Sequence, residues 1–480
     1  MEVVMFYCRN EELCKLNRRY DDGNFECIII YGRRRVGKTT IINEFCKDKP
    51  TVFFSALLDG TIRENLRTLS RAIYAYKEPD TTKAPEYDSF DSALDEITRL
   101  AEKERIVFVI DEYPYLAKAD PSISSRLQHL IDHTWKDSKL YLILCGSSMS
   151  FMENQVLGYQ SPLYGRRTGQ FKIEPLAYKE TAVFNPDLDH VTNSFVYGVT
   201  GGVPHYINRL NVQGNLDHAL IENFFDRSAY LFEEPSNLLK QELREPAVYN
   251  SVLTAIAEGA SRMNEISTKT GIGSGPCSKY LSVLINLGII KKETPMTEKP
   301  GKKTIYSIAD PFFRFWYRFV PNNMTPIVSG RMEKVYDKAV RAHMNDYMGL
   351  IFEKMCSDYL LYYAEEQDFQ IVDVGQWWGT DSTEKKQIQI DLVGSTDHKN
   401  EYLIGSCKFR NEAIGVDELE LLKRYAAVFG KGKVYHYYIF SKGGFTENLK
   451  DLGDKGEVEL ITLEDMYYRN EKKEARLLFT

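Results

Sequence analysis

The stretch IIIYGRRRVGKTTIINEF, residues 28–45, decides how this chain is read. A hydrophobic run leads into a turn built on Gly32 and Gly37, then Lys38-Thr39-Thr40, then an amphipathic start. Gly32-Arg33-Arg34-Arg35-Val36-Gly37-Lys38-Thr39 fits G-x-x-x-x-G-K-[ST] at every fixed position. Glycines at those places let backbone N–H groups turn inward on phosphate oxygens, and the following helix N-terminus adds its dipole. Residues 32–40, Thr40 included, are therefore expected to bind nucleotide, with Lys38 at the β/γ-phosphates and the Thr39 hydroxyl on Mg²⁺. The cradle does not require Arg33, Arg34 and Arg35. Their side chains are expected to point mostly away from the phosphates and to salt-bridge the loop to acids such as Glu112 or those near 233–245.

A phosphate loop of this kind needs a second, acidic strand. VFVIDEYPYL, residues 107–116, supplies it: Asp111 for the Mg²⁺ shell and Glu112 to polarise the attacking water. LILCGSS, residues 142–148, reads as a neighbouring strand that places Ser147 or Ser148 to sense the γ-phosphate. In LYGRRTGQFKIEPL, residues 163–176, Arg166 and Arg167 precede a further strand and are candidates to stabilise charge on the transferred group. The alternatives, strand-end capping for the serines and a salt-bridged pair for the arginines, stay open.

At 480 residues the chain is too long for one ordinary core. It is 43% hydrophobic and 27% charged, the balance of a globular protein in water. The net charge of −7 argues against a uniformly basic nucleic-acid binder and permits local basic patches. No stretch approaches the length of apolar chain that spans a membrane. The start lacks a secretory pattern, and the eight cysteines are scattered without a C-x-x-C pair. A cytoplasmic protein with reduced thiols and no membrane partner is expected.

Apolar strands alternating with helical stretches over residues 1–180 predict a parallel, doubly covered sheet. Residues 181–245 lack strand signals and read as a helical lid; in TGGVPHY (200–206), Gly201 and Gly202 allow a turn over the nucleotide and Pro204 fixes it. Residues 246–330 hold three helices, a strand-turn-strand and an aromatic linker, the order of a winged helix-turn-helix. Its basic face is thin: Lys279 on the third helix, and Lys291, Lys292, Lys299, Lys302 and Lys303 against Glu293 and Glu298 in the wing. Residues 331–480 read as helix, three strands, helix, strand.

YGRRRVGKT, FVIDEYPYL, CGSSMSFM, LYGRRTGQFKIEPL and TGGVPHY, in this order, resemble the archaeal-type P-loop ATPases, a family related to AAA+ and STAND proteins. The likeness covers roughly residues 5–320. It implies a P-loop NTPase α/β core, ATP rather than GTP, and ATP binding and hydrolysis through Lys38, Asp111 and Glu112. The C-terminal block, over roughly 345–442 and including GQWWG, resembles a PD-(D/E)XK (restriction-endonuclease-like) nuclease core, with Glu353 on a helix, Asp391 in QIQIDLVG and Lys408 in LIGSCKF. That likeness implies a second Mg²⁺ or Mn²⁺. The chain departs from the motif at its decisive position, where Ser406 stands in place of an acid; Glu412, a few residues on, is a candidate to swing in. Three outputs stay open: ATP-gated DNA cleavage, a regulatory switch whose degenerate nuclease-like domain binds nucleic acid or a protein, and a remodeller assembled as a homo-oligomer.

Overall fold

The computed structural model describes residues 8–78, 85–301, 303–364 and 368–468; Lys302 lies outside them. The chain forms two compact units. One comprises residues 1–176 with 203–205, and the other comprises 177–202 with 206–480.

The first unit is built on five strands: β1 (Glu26–Tyr31), β2 (Thr51–Ser55), β3 (Val107–Asp111), β4 (Tyr141–Gly146) and β5 (Gly169–Lys172). Their order is β2-β3-β4-β1-β5 and every pairing is parallel. β1, β3 and β4 are buried along their whole length, which is why they read as unbroken apolar runs. Successive residues feed opposite faces. Cys27, Ile29, Phe108, Ile110, Leu142 and Leu144 join one core, while Ile28, Ile30, Val107, Val109, Ile143 and Cys145 join the other. Helix Lys38–Cys46 follows β1 and packs Ile41, Ile42 and Phe45 into the second core. An amino-terminal helix, Asn10–Asp21, which sequence reading had not singled out, adds Leu16 to that core. The strand expected over FKIEPL begins two residues earlier, at Gly169, because that segment pairs with Ile28–Tyr31 of β1.

The second unit begins with helices Tyr178–Val183, His190–Thr200, Leu216–Phe224 and Tyr230–Glu242. Gly201 and Gly202 take φ of 64° and 69°, left-handed values that suit glycine and make the expected turn before Pro204. Helices Pro246–Ala257, Met263–Thr270 and Ser274–Asn286 are followed by an antiparallel hairpin, β6 (Ile290–Glu293) and β7 (Ile305–Ile308). Helix Pro311–Phe319 buries nearly every side chain it has. Phe312 stacks on Tyr206 at 4.3 Å, Trp316 Nε1 donates to the Phe232 carbonyl at 2.7 Å, and Phe315 meets Tyr347 edge-on at 5.5 Å. The aromatic segment thus joins the helical region to the C-terminal block.

That block places helix Met344–Asp358 and helix Val416–Phe429 beside a five-stranded sheet: β8 (Ile371–Asp381), β9 (Lys386–Thr396), β10 (Glu401–Lys408), β11 (Val434–Ser441) and β12 (Glu459–Thr462). The order is β12-β11-β10-β9-β8, with β8-β9 and β9-β10 antiparallel and the rest parallel. Among the described residues no helix is long and apolar enough to cross a membrane.

Candidate functional site

The end of β1 turns through Gly32-Arg33-Arg34-Arg35-Val36-Gly37. Gly32 has φ 156°, and a Cβ there would fall 2.2 Å from the Ile173 carbonyl oxygen, so only glycine fits. Gly37 has φ 94° and opens helix Lys38–Cys46, which has no side-chain cap. Its first N–H groups are left to whatever binds at the helix end. Val36 is buried and anchors the loop from beneath. Lys38 is only 7% exposed, and its ammonium donates to the Gly32 and Arg33 carbonyls at 2.9 Å each. Burial lowers the Lys38 pKa, opposed by the nearby Glu112 and Asp111 carboxylates.

β3 brings its two carboxylates to the same end of the sheet. Thr39 Oγ1 donates to Asp111 Oδ2 at 3.2 Å, and the Glu112 N–H donates to Asp111 Oδ1 at 3.0 Å. Glu112 sits at φ 51°, a left-handed conformation unfavourable for glutamate that marks an over-determined position. The Ser147 hydroxyl, at the end of β4, lies 2.9 and 3.1 Å from its two carboxylate oxygens. Thr39, Asp111, Glu112 and Ser147 thus form one hydrogen-bonded set. The Thr39 hydroxyl and the Asp111 carboxylate are hard oxygen donors suited to Mg²⁺. Ser148 caps no helix by its side chain.

Arg34 donates to the Tyr115 hydroxyl. Arg35 takes φ 70° and Thr40 is exposed. Arg166 makes a bidentate pair with Asp132, at 2.8 and 2.7 Å, and donates to the Pro162 and Tyr164 carbonyls. Arg167 lies over the Tyr164 ring at 5.9 Å. Val203–His205, with Pro204, group with the unit that carries the phosphate loop.

A family model described as an ATPase domain predominantly from Archaea matches residues 6–210. An uncharacterised protein of Methanocaldococcus jannaschii is 31% identical over 477 residues, spanning 96% of this chain and 100% of that protein. The chain belongs to the archaeal-type P-loop ATPases. A second model, described as Archaea bacterial proteins of unknown function, matches residues 316–420 of this ATPase. An uncharacterised ATP-binding protein of the same organism is 49% identical over 47 residues, 10% of this chain and 80% of its own. Among solved structures, the ATPase is similar to the Aeropyrum pernix ORC1 protein in complex with DNA, at 15% identity and TM-score 0.37, over 68% of this chain and 94% of that one. It is also similar to a Pyrococcus horikoshii STAND protein with a tetratricopeptide repeat sensor, at 13% identity and TM-score 0.31, over 76% and 51%.

The C-terminal block of the ATPase gathers a second set of groups. Lys408 Nζ donates to Asp391 Oδ2 at 3.2 Å and lies 3.3 Å from Glu418 Oε1. The Cys407 N–H donates to Asp391 at 3.0 Å, and Ser406 Oγ donates to Glu418 at 2.7 Å. Glu353 and Asp391 line one cavity of about 390 Å³ with Lys291, Glu293, Gln376 and Gln389. Gln376 donates to the Glu353 carboxylate. Burial first, then the Asp391 charge, push the Glu353 pKa up to about 8. Glu412, the candidate to swing in, is exposed on the loop after β10. Sequence reading missed Glu418, whose one signal was a glutamate adjoining Leu419 and Leu422 in an amphipathic helix.

The hairpin that reads as a wing is engaged within its own unit. The Met296 N–H donates to the Gln376 carbonyl of β8 at 2.7 Å, and Met296 packs against the C-terminal core. Lys291 pairs with Glu293 at 2.6 Å and Lys303 with Glu298 at 2.7 Å, while Lys292 and Lys299 are exposed.

Proposed function

We propose that this ATPase binds and hydrolyses MgATP at the phosphate loop, and that nucleotide state governs a nucleic-acid-acting C-terminal domain. The observation that carries this reading is the hydrogen-bonded set Thr39–Asp111–Glu112–Ser147 behind a loop closed on Lys38. Residues 32–40 cradle the phosphates through backbone N–H groups, and Lys38 exchanges loop carbonyls for phosphate oxygens. Thr39 and Asp111 hold Mg²⁺, which when bound neutralises charge on the phosphate oxygens. Glu112 orients and polarises the attacking water, and Ser147 fixes that carboxylate rather than leaving it free to rotate. Pro204 closes over the nucleotide. Arg166 acts on the transferred group only if its pair with Asp132 opens, and Arg167 is the less tethered of the two.

For the output, the three helices and hairpin of 246–308 are read as a winged helix, and Glu353, Asp391 and Lys408 as a nuclease-like site that cuts DNA. A second reading, binding of nucleic acid or a protein without cleavage, draws support from Ser406 and from the two ion-paired wing lysines. Plasmid nicking with Mg²⁺ or Mn²⁺, with and without ATP, separates the two. Cleavage requires nicking by the wild type that ATP alters and that Asp391→Ala abolishes. Equal nicking by both proteins is contamination, and none by either favours the binding reading.

A further inference from the structure

The C-terminal site lacks an acid at residue 406, and the fold brings one from outside the motif. Helix Val416–Phe429 buries Leu419, Leu422, Ala426 and Phe429 against the sheet, and Glu418 goes in with them at 8% exposure. An aliphatic residue would pack there at no electrostatic cost, whereas a buried carboxylate costs several kcal/mol unless it is matched. Glu418 is matched by the two residues that flank Cys407 on β10: the Ser406 hydroxyl at 2.7 Å and the Lys408 ammonium at 3.3 Å.

The same ammonium lies 3.2 Å from Asp391. Asp391 and Glu418 therefore present oxygens from two elements to one cationic centre. This donor set fits a hard divalent cation. Mg²⁺ binds through one or two carboxylates, waters and substrate phosphate rather than in an all-protein cage.

We propose that Glu418 supplies the acid that residue 406 lacks, so that Asp391 and Glu418 together seat Mg²⁺ or Mn²⁺ beside a phosphodiester. Ser406 donates to Glu418 and fixes its rotamer, and Lys408 moves from bridging the carboxylates to facing the phosphate. The proposal rests on the nucleic-acid-acting reading of this domain.

Mn²⁺ binding by electron paramagnetic resonance tests it directly. The full chain is titrated without nucleotide in an Asp111→Asn background, which silences the other candidate site. Glu418→Gln and Asp391→Asn should each weaken Mn²⁺ by about tenfold or more, and Glu420→Gln, on the exposed side of the same helix, should not. Because Glu418→Gln alters a buried pair, Ser406→Asp with Glu418→Gln is the companion: returning the acid to the strand should restore binding to within a few-fold of the parent. Glu418→Gln that binds like the parent while Asp391→Asn does not, or a folded double variant that recovers nothing, overturns the role of Glu418 alone. Absence of any Mn²⁺ sensitive to Asp391→Asn overturns the metal-dependent reading of the domain as well.

Discussion

Glu112 is held from two sides, by a left-handed backbone and by Ser147. Lys38, by contrast, spends its donors on loop carbonyls. These arrangements predict different losses. Lys38→Ala should cut ATP affinity by at least about a hundredfold, because a buried charge-assisted contact disappears; calorimetry reads this. Glu112→Gln keeps shape and hydrogen bonds, so ATP should still bind while turnover falls by about 10²–10⁴. Glu353 carries a pH signature. Its folded pKa of about 8 lies above the ordinary 4.5, so the folded chain holds this proton more tightly than the unfolded one. Stability from this group is then present below the ordinary value and is lost as pH rises toward the folded one. Glu353→Gln should flatten that fall and stabilise the domain by about 1–3 kcal/mol at high pH, after allowance for its partial exposure. Thermal unfolding at about pH 5 and about pH 9 measures it. A variant whose melting temperature keeps the wild-type pH gap contradicts the assignment.

At the scale of elements, the tight places are turns and edges. Gly32→Ala would drive a methyl into the Ile173 carbonyl, backbone against backbone, where neither can yield. It should cost more than about 2 kcal/mol and weaken nucleotide binding with it; unchanged unfolding would mean the loop is freer than its packing. β8 is the edge of the C-terminal sheet, and the hairpin at Met296 pairs with it. Met296→Asp should loosen that seam and raise amide exchange over Gly375–Trp377, while β10 stays protected. Much of this was legible in the chain. β1, β3 and β4 are apolar runs because both faces are covered, and helix Lys38–Cys46 begins where Gly37 ends the loop. The start of β5 was not legible, because its alternating, half-exposed residues gain strand character only by pairing with β1. Nor was Glu418: a motif is read along one strand, and this acid arrives by packing of a helix across it.

For the whole molecule, two compact units carry the two sets of polar groups: the phosphate-loop set lies in the first and the Asp391–Lys408–Glu418 set in the second. The proposed function makes ATP turnover the event that the second unit answers to. Arg34 and Arg35 belong to this scale. Replacing both with Ala should leave ATP affinity within a few-fold of wild type and uncouple any nucleotide-dependent change in nicking or partner binding. A large loss of ATP affinity would make them direct ligands. The central claim, hydrolysis at this loop by this carboxylate, is tested most directly by single-turnover ATP hydrolysis on pre-bound nucleotide, comparing wild type with Glu112→Gln. Wild type should release phosphate and Glu112→Gln should hold unhydrolysed ATP. Equal rates in the two proteins, or no hydrolysis by a wild type saturated with MgATP, would contradict it.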